Sequence, residues 1–226
     1  MTCETPGRAE YHVLLLSGHD LQPLIDDRSQ LEAAFRSIEQ AVVQMHRGEG
    51  VHVGWVDVPL GSQEVLGVFL TSSPNGASVR LWDSAVRHQL HAGAHLMLLL
   101  DPNDGRPKAL LSSAALNPLR TSVPAGVGVK HLASPEARVL CILGSGGQAQ
   151  SLARTCAHAL PHLERIQIWN RTVARGERFA TETSRRLGVP VELKDSPELA
   201  VVTGDAARGA GLWPDSRQLP GRRGRG

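Results

Sequence analysis

The sequence predicts an α/β protein in which an N-terminal α+β domain is followed by a parallel βαβ unit. Short segments of alternating apolar and polar residues, separated by Gly- and Pro-containing turns, recur through the first half of the 226-residue chain and predict strands. One long segment there has apolar residues at three- and four-residue steps, which predicts an amphipathic helix. In residues 139–169 a buried strand, a glycine-rich turn, a helix and a second strand follow one another, which is the order of a parallel βαβ unit.

The N-terminal elements begin with a strand over residues 11–17 and continue with a helix over residues 29–47. Asp26 or Asp27 is the predicted N-cap of this helix, and Gly48 ends it. The apolar face of the helix comprises Leu31, Ala34, Phe35, Ile38, Ala41, Val42 and Met45. Further strands are predicted over residues 51–58, 65–70, 78–81 and 95–100. Together these segments form the predicted α+β domain.

A stretch with two prolines separates the two parts of the chain. Residues 114–131 contain Pro118 and Pro124, and proline removes a backbone donor and disrupts helix interiors, so we predict a hinge that is helical only in places. The predicted regions are a substrate and dimerisation domain over residues 1–120, a nucleotide-binding domain over residues 121–202, and a tail over residues 203–226. The tail is rich in Gly, Arg and Pro and lacks periodicity, so we expect it to be disordered.

The glycine-rich turn that follows the first strand of the βαβ unit predicts a dinucleotide phosphate site. It has the pattern G-x-G-x-x-A, in which Gly144 permits the tight turn, Gly146 lets a pyrophosphate approach the backbone, and Ala149 allows close helix packing. The amides that open the following helix attract negative charge. The residues predicted to contact the cofactor here are Gly144, Ser145, Gly146, Gly147, Gln148 and Ala149.

The second strand of the unit, residues 165–169, is followed by Asn170, Arg171 and Thr172, which are also predicted cofactor contacts. Proteins that bind NAD usually have an acidic residue at this point, which holds the ribose 2′-hydroxyl. The guanidinium of Arg171 instead suits a 2′-phosphate by charge and geometry, so we predict NADP(H) more than NAD(H). The alternative is that Arg171 is an ordinary solvated arginine after a strand.

Composition argues against several classes of partner and site. The formal net charge of +2 is too small to indicate a nucleic-acid partner or an acidic membrane surface. No apolar run reaches the roughly 20 residues of a membrane span, and the first residues lack a signal-peptide core, so we predict a cytoplasmic protein. The three cysteines lack metal-like spacing. His88, His91 and His95 have helical spacing, but their segment runs into a predicted strand, so we predict no metal site.

Several separated motifs occur in the order of one known family. They are the Leu14-Leu-Leu-Ser17 start, the helix end at His46-Arg-Gly48, residues 98–110, Leu119-Arg-Thr121, Lys130-His-Leu132, residues 139–149 and Ile168-Trp-Asn-Arg-Thr172. In these motifs the chain resembles the ornithine cyclodeaminase/mu-crystallin family over about residues 11–200. The resemblance implies a homodimer in which a substrate and dimerisation domain precedes a Rossmann domain.

The resemblance also implies a reaction. Family members exchange hydride between a nicotinamide and the C=N or C–N bond of a small amino or imino acid, as cyclodeaminases, ketimine reductases or amino-acid dehydrogenases. It implies that Arg120 binds the substrate carboxylate, with a domain-interface arginine as the alternative. Arg80 stands where many members place an active-site lysine; it can clamp a carboxylate but does not shuttle a proton. Arg80 and Arg120 are therefore the predicted catalytic residues.

The sequence departs from the family at three further places. An upstream arginine that many members use for the substrate carboxylate is absent from residues 51–59, and the usual Asp-Gly pair is Ser112-Ser113. From Thr203 onward the family pattern of further strands and helices is replaced by the Gly- and Arg-rich tail. We therefore interpret the chain as a truncated or frame-shifted member with an incomplete Rossmann domain. A nucleic-acid-binding RGG-like tail is the alternative interpretation of this segment.

Two functional hypotheses follow from these observations. The first is an NAD(P)H-dependent oxidoreductase of the cyclodeaminase or ketimine reductase type. The second is a catalytically deficient homologue that serves as a dimerising or cofactor-binding module. Binding of NADPH or NADH by the purified chain is the measurement that separates an enzyme or cofactor-binding module from a chain that only oligomerises.

Overall fold

The computed structural model describes residues 12–60, 64–83 and 95–202. These residues fall into two compact units. Of these described residues, those up to Gln30 and those between Glu39 and Asn117 form the first unit, and Leu31–Ile38 together with those from Pro118 onward form the second. Within the described ranges, no helix combines the length and the apolar character that crossing a membrane requires.

The first unit is built on a six-stranded sheet. Its strands are β1 (Leu14–Leu16), β2 (Val51–Leu60), β3 (Glu64–Ser73), β4 (Gly76–Asp83), β5 (Leu96–Leu100) and β6 (Pro107–Ser112). Their order across the sheet is β1-β6-β5-β4-β3-β2, with β1 parallel to β6 and the other neighbouring pairs antiparallel. The predicted strands are present, and β6 is an additional strand that the sequence pattern did not predict.

A short helix, α1 (Gly18–Asp26), follows β1 and was missed by the sequence analysis. It begins with a capping box in which the Ser17 hydroxyl accepts from the Asp20 amide and the Asp20 carboxylate accepts from the Ser17 amide at 2.8 Å. Pro23 lies inside the helix. The capping pattern was present in the sequence, but Asp20 stands where the common pattern has Glu or Gln.

The long predicted helix is confirmed as α2 (Arg28–His46), with Asp27 as its N-cap. Its middle part, Leu31–Ile38, groups with the second unit. Leu31 and Phe35 are 3% and 4% exposed and form a cluster with the buried side chains of Val123 and Val127. The predicted apolar face therefore covers a core, as the spacing of its residues indicated.

The predicted interruption of the helix over residues 114–131 is wrong, because that segment lies within one continuous helix, α3 (Ser113–Leu132). The boundary between the two units, at Asn117 and Pro118, does fall inside this segment. Pro118 and Pro124 both lie inside the helix. Each proline removes one backbone donor, but burial of the helix face around them stabilises the helical conformation: Ser122 and Val123 are 0% and 1% exposed. Tertiary packing outweighs the local preference here.

The second unit contains a parallel sheet with helical crossovers. Its elements after α3 are β7 (Val139–Leu143), α4 (Ala149–Ala159), β8 (Arg165–Trp169), α5 (Val173–Leu187), β9 (Val191–Leu193) and α6 (Pro197–Val202). The strand order is β7-β8-β9, and both pairs are parallel. Ile166 and Ile168 of β8 are fully buried in the core that α4 and α5 cover. The predicted mixed α/β fold with a Rossmann-type βαβ unit is confirmed.

Candidate functional site

The turn between β7 and α4 begins with a residue that only glycine suits. Gly144 has a φ of +99°, a conformation in which a side chain is strained. Its amide donates to the carbonyl of Trp169 at 2.7 Å, which ties the turn to the end of β8. The turn therefore leaves β7 sharply and runs along the carboxyl edge of the parallel sheet, where Rossmann folds bind ligands.

The next two glycines leave one side of the turn open. A Cβ added at Gly146 or Gly147 meets no atom within 4 Å, and both residues are exposed. The carbonyl of Gly146 accepts from the Ala149 amide at 2.9 Å, which closes the first turn of α4. Gln148 is the N-cap of α4 and makes no side-chain capping bond, and the first turn of α4 has no acidic residue. The helix end is therefore available to an anion.

Asn170 braces this turn from the end of β8. Its Oδ1 accepts from the Ser145 amide at 2.9 Å, and its Nδ2 donates to the carbonyl of Thr172 at 2.7 Å. Both the oxygen and the nitrogen of the side-chain amide thus form hydrogen bonds within the protein. Asn170 joins the glycine-rich turn to the residue before α5, where Thr172 is the N-cap and Arg171 is exposed.

An open cleft of about 510 Å³ lies beside the turn. Its lining residues are Ser145, Gly146, Gly147, Gln150, Arg175, Arg178, Phe179 and Glu182. Three predicted contacts therefore line one cleft. The remaining predicted contacts, which do not line it, are Gly144, Gln148, Ala149, Asn170, Arg171 and Thr172.

The wall of the cleft that α5 provides was not predicted from the sequence. Arg175, Arg178 and Glu182 recur at three- and four-residue steps, so they share one face of the helix. The other wall comes from α4, where the side-chain amide of Gln150 donates to the Glu182 carboxylate at 2.8 Å. The helical spacing after Thr172 was the sequence signal that could have identified this wall.

The predicted catalytic residue Arg80 lies in the first unit, on β4, and is 9% exposed. Its Nη2 lies 3.5 Å from Asn117 Oδ1, a weak hydrogen bond, and its guanidinium carbon lies 5.3 Å from the centre of the Phe69 ring. Phe69 is the residue paired with Arg80 across β3 and β4. A buried cation stacked on an aromatic ring is suited to hold an anion, because burial strengthens its electrostatic interactions.

The other predicted catalytic residue, Arg120, lies on α3 within the second unit. Partial burial lowers the pKa of its guanidinium, but arginine remains charged at neutral pH. Arg80 and Arg120 thus belong to different units of the chain. Asn117, which contacts Arg80, was not identified from the sequence; its position three residues before Arg120 on one helix was the available signal.

The cysteines and histidines do not form a second reactive centre in the described parts of the chain. Burial raises the pKa of both Cys141 and Cys156 to about 11, so both thiols are neutral near pH 7 and poor nucleophiles. His88 and His91 lie outside the described residues, and His95 precedes β5. Among the residues that the structure describes, no three His, Cys, Asp or Glu side chains gather as a metal site would require.

Among the proteins that share sequence with this chain are two reductases. Delta(1)-pyrroline-2-carboxylate reductase of Bacillus cereus is 33% identical over 110 residues, which are 49% of this chain and 34% of the relative. Iminosuccinate reductase of Paracoccus denitrificans is 29% identical over 167 residues, covering 71% of this chain and 52% of the relative. The chain thus spans between about a third and about half of the length of these two proteins.

A solved structure and a family model agree with these matches. The crystal structure of the Paracoccus denitrificans iminosuccinate reductase in complex with NAD⁺ has a TM-score of 0.75 and 24% identity, over 86% of this chain and 60% of that one. It shares the fold described above. The model of the ornithine cyclodeaminase/mu-crystallin family matches residues 29–207, most of the chain. This chain therefore belongs to the ornithine cyclodeaminase/mu-crystallin family.

Proposed function

We propose that this chain binds NADP(H) and serves in the reduction of a C=N bond in a small imino acid. The observation that carries the proposal is the open glycine-rich turn between β7 and α4, with no side-chain cap at the N-terminus of α4. Family membership and the two reductase relatives support the reaction class. When bound, the nicotinamide supplies a hydride to the imine carbon, and the nitrogen takes up a proton.

The backbone of the turn is the proposed cradle for the pyrophosphate. Gly146 and Gly147 present no side chain on their open side, so phosphate oxygens can approach the amides directly. Gly144 and Asn170 fix the turn before the ligand arrives, through bonds to Trp169 and Ser145. Such preorganisation lowers the entropy that binding costs.

Arg80 and Arg120 are the proposed groups for the substrate carboxylate. A guanidinium offers two parallel donors to a carboxylate and holds it in one orientation. Arg80 is held over the Phe69 ring and near Asn117, so its position is defined without a substrate. Neither arginine exchanges a proton at neutral pH, so their proposed role is to bind and orient the substrate.

NADP(H) is the proposed cofactor rather than NAD(H). No acidic side chain follows β8 to hold a ribose 2′-hydroxyl, since Asn170 occupies that place and uses its amide within the protein. The exposed Arg171 adds positive charge at the same point. The iminosuccinate reductase structure contains NAD⁺, so the preference rests on the residues of this chain.

We also propose a homodimer formed through the first unit. The edge strand β2 exposes four valines, and β1 exposes Leu14 and Leu15 at the opposite edge, at 61% and 74%. The exposed valines are Val51, Val53, Val56 and Val58. Apolar edge strands of this kind are usually covered in the functional assembly. The proposed compartment is the cytoplasm, where NADPH is available and free thiols such as Cys156 stay reduced.

The proposed function is tested by calorimetric titration with NADPH and NADH, followed by NADPH oxidation with Δ1-pyrroline-2-carboxylate or iminosuccinate. The turn variant is Gly146→Val, whose Cβ meets no protein atom within 4 Å and whose side chain enters the proposed phosphate cradle. We expect it to weaken NADPH binding at least about tenfold without changing thermal stability. The control is Gly128→Ala on α3, where an added Cβ also meets no atom within 4 Å.

The outcomes separate the alternatives. Absence of NADPH and NADH binding by the unmodified chain contradicts the proposal. Binding without turnover of either imine contradicts these two compounds as substrates and favours the alternative of a cofactor-binding module. Arg80→Gln and Arg120→Gln are expected to raise KM for the imine by about tenfold or more each, because each removes a charged carboxylate partner. An unchanged KM in both variants removes their assignment.

A further inference from the structure

We propose that Arg175 and Arg178 on α5 form a phosphate clamp that selects the 2′-phosphate of NADP(H). The proposal rests on the proposed cofactor-binding function and assigns its selectivity to two residues outside the predicted contacts. Both arginines line the same cleft as Ser145, Gly146 and Gly147, whereas Arg171 does not. The cleft joins the phosphate cradle of the turn to the exposed face of α5.

The packing of α5 fixes which face it turns to the cleft. Gly176, Phe179 and Thr183 are buried, and Phe179 is 4% exposed within the core of the second unit. A Cβ at Gly176 would lie 2.6 Å from Leu193 Cδ1, so the helix lies close to β9 at this point. The buried face cannot rotate out of the core. The side chains of Arg175, Arg178 and Glu182 therefore stay on the cleft side of the helix.

The charges in the cleft leave these two guanidiniums available. Within the part of the chain that the structure describes, neither Arg175 nor Arg178 forms an ion pair. The one carboxylate that lines the cleft, Glu182, accepts a hydrogen bond from Gln150 Nε2 at 2.8 Å. The first turn of α5 carries no acidic residue. Two cations without a carboxylate partner therefore face a space that is large enough for a phosphate group.

The orientation of a dinucleotide on a Rossmann unit indicates which of its phosphates the clamp would bind, namely the 2′-phosphate. In a Rossmann unit the pyrophosphate lies on the glycine-rich turn, and the adenosine ribose reaches the carboxyl end of the second strand, which is β8 here. The helix that follows β8 is α5, so its first turns face the ribose. A 2′-phosphate carries nearly two negative charges at neutral pH and accepts bidentate bonds from arginine. NADH lacks this group.

The test compares two fragments that differ in the relevant group. Adenosine 2′,5′-bisphosphate and 5′-AMP are titrated calorimetrically into the full chain and into the Arg175→Ala and Arg178→Ala variants, and NADPH and NADH are titrated in parallel. We expect each variant to bind the bisphosphate and NADPH about tenfold more weakly, and 5′-AMP and NADH within about twofold of the unmodified chain. Arg185→Ala, in the last turn of α5 and outside the cleft, is the matched control and should bind all four ligands normally.

The possible failures are distinguishable. An equal loss for ligands with and without the 2′-phosphate places the arginines on the pyrophosphate and overturns the clamp, while the proposed cofactor binding stands. Normal NADPH binding by both variants also overturns it. If the unmodified chain binds neither dinucleotide, the proposed function fails and the clamp fails with it. Because Arg175 and Arg178 are exposed, their variants should melt at the unmodified temperature, and Arg175→Lys should restore part of the selectivity.

Discussion

The sheets of the two units differ in how deeply their apolar side chains are buried. In the second unit, Ile166 and Ile168 on β8 are fully buried between helices, as the strands of a parallel sheet usually are. In the first unit, all described side chains of β2 are exposed, including Val51 at 61% and Val56 at 46%. The second unit thus buries the side chains of β8 in its own core, whereas the first unit presents an exposed apolar edge, the edge at which we propose that another copy of the chain binds.

Substitution of one buried and one exposed strand residue tests this contrast directly. Ile168→Ala should lower the free energy of unfolding by about 2–5 kcal/mol, because it leaves a cavity in a closed core. Val58→Ala, on the exposed strand β2, should change it by no more than about 0.5 kcal/mol in dilute solution. Urea denaturation followed by circular dichroism measures both. Equal losses in the two variants contradict the difference between the units.

The exposed edge can be tested by adding charge to it. Val51 and Val53 lie two residues apart on β2, so their side chains share one face of the strand. We expect Val51→Lys combined with Val53→Lys to weaken the proposed homodimer at least about tenfold, since charged side chains on edge strands oppose pairing. Sedimentation velocity over a range of concentrations measures the change. A monomer at all concentrations before substitution contradicts the proposed dimer.

The sequence predicted those parts of the molecule in which local and tertiary preferences agree. The turn that begins at Gly144 was identified from its glycines, of which Gly144 is needed for the backbone itself because its φ is +99°. The predicted interruption of the helix over residues 114–131 was wrong because burial of Val123 and its neighbours stabilises a helix that Pro118 and Pro124 disfavour locally. In such a segment the sequence shows the local cost of proline within a helix. It does not show the tertiary packing that offsets this cost.

The candidate site shows the same division. Residues adjacent in sequence, such as Ser145 and Gly146, were predicted from one motif. Arg175 and Arg178 were missed because their proximity to the turn depends on how α5 packs against the sheet. Asn117 was missed for the same reason, since its contact with Arg80 joins two elements that are distant in the chain. Side chains that only tertiary packing brings together can be identified once the fold is known, but not from the sequence pattern.

Asn170, which braces the turn from the end of β8, should have a smaller effect on dinucleotide binding, confined to the second unit. Asn170→Ala removes the acceptor of the Ser145 amide, so the turn loses one of the bonds that fix it. We expect NADPH and NADH to bind about three- to tenfold more weakly, and to similar degrees, because the brace orders the turn without touching the 2′-position. Asn170→Asp keeps the acceptor but adds a negative charge, so it should disfavour NADPH more than NADH. Parallel calorimetric titrations measure both, and a selective loss in Asn170→Ala contradicts the bracing role.

The smallest expected effect on NADPH binding is that of neutralising Glu182, the carboxylate that lines the cleft. Glu182→Gln removes one negative charge beside Arg178 and retains an oxygen that accepts from Gln150, so the contact between α4 and α5 is kept. NADPH should bind about two- to threefold more tightly at low ionic strength, and the gain should vanish near about 1 M salt, where the screening length is about 3 Å. Glu198→Gln on α6, an exposed carboxylate outside the cleft, is the control and should change nothing. A gain that persists at high salt indicates that the helices have repacked, and it would remove the electrostatic explanation for the cleft.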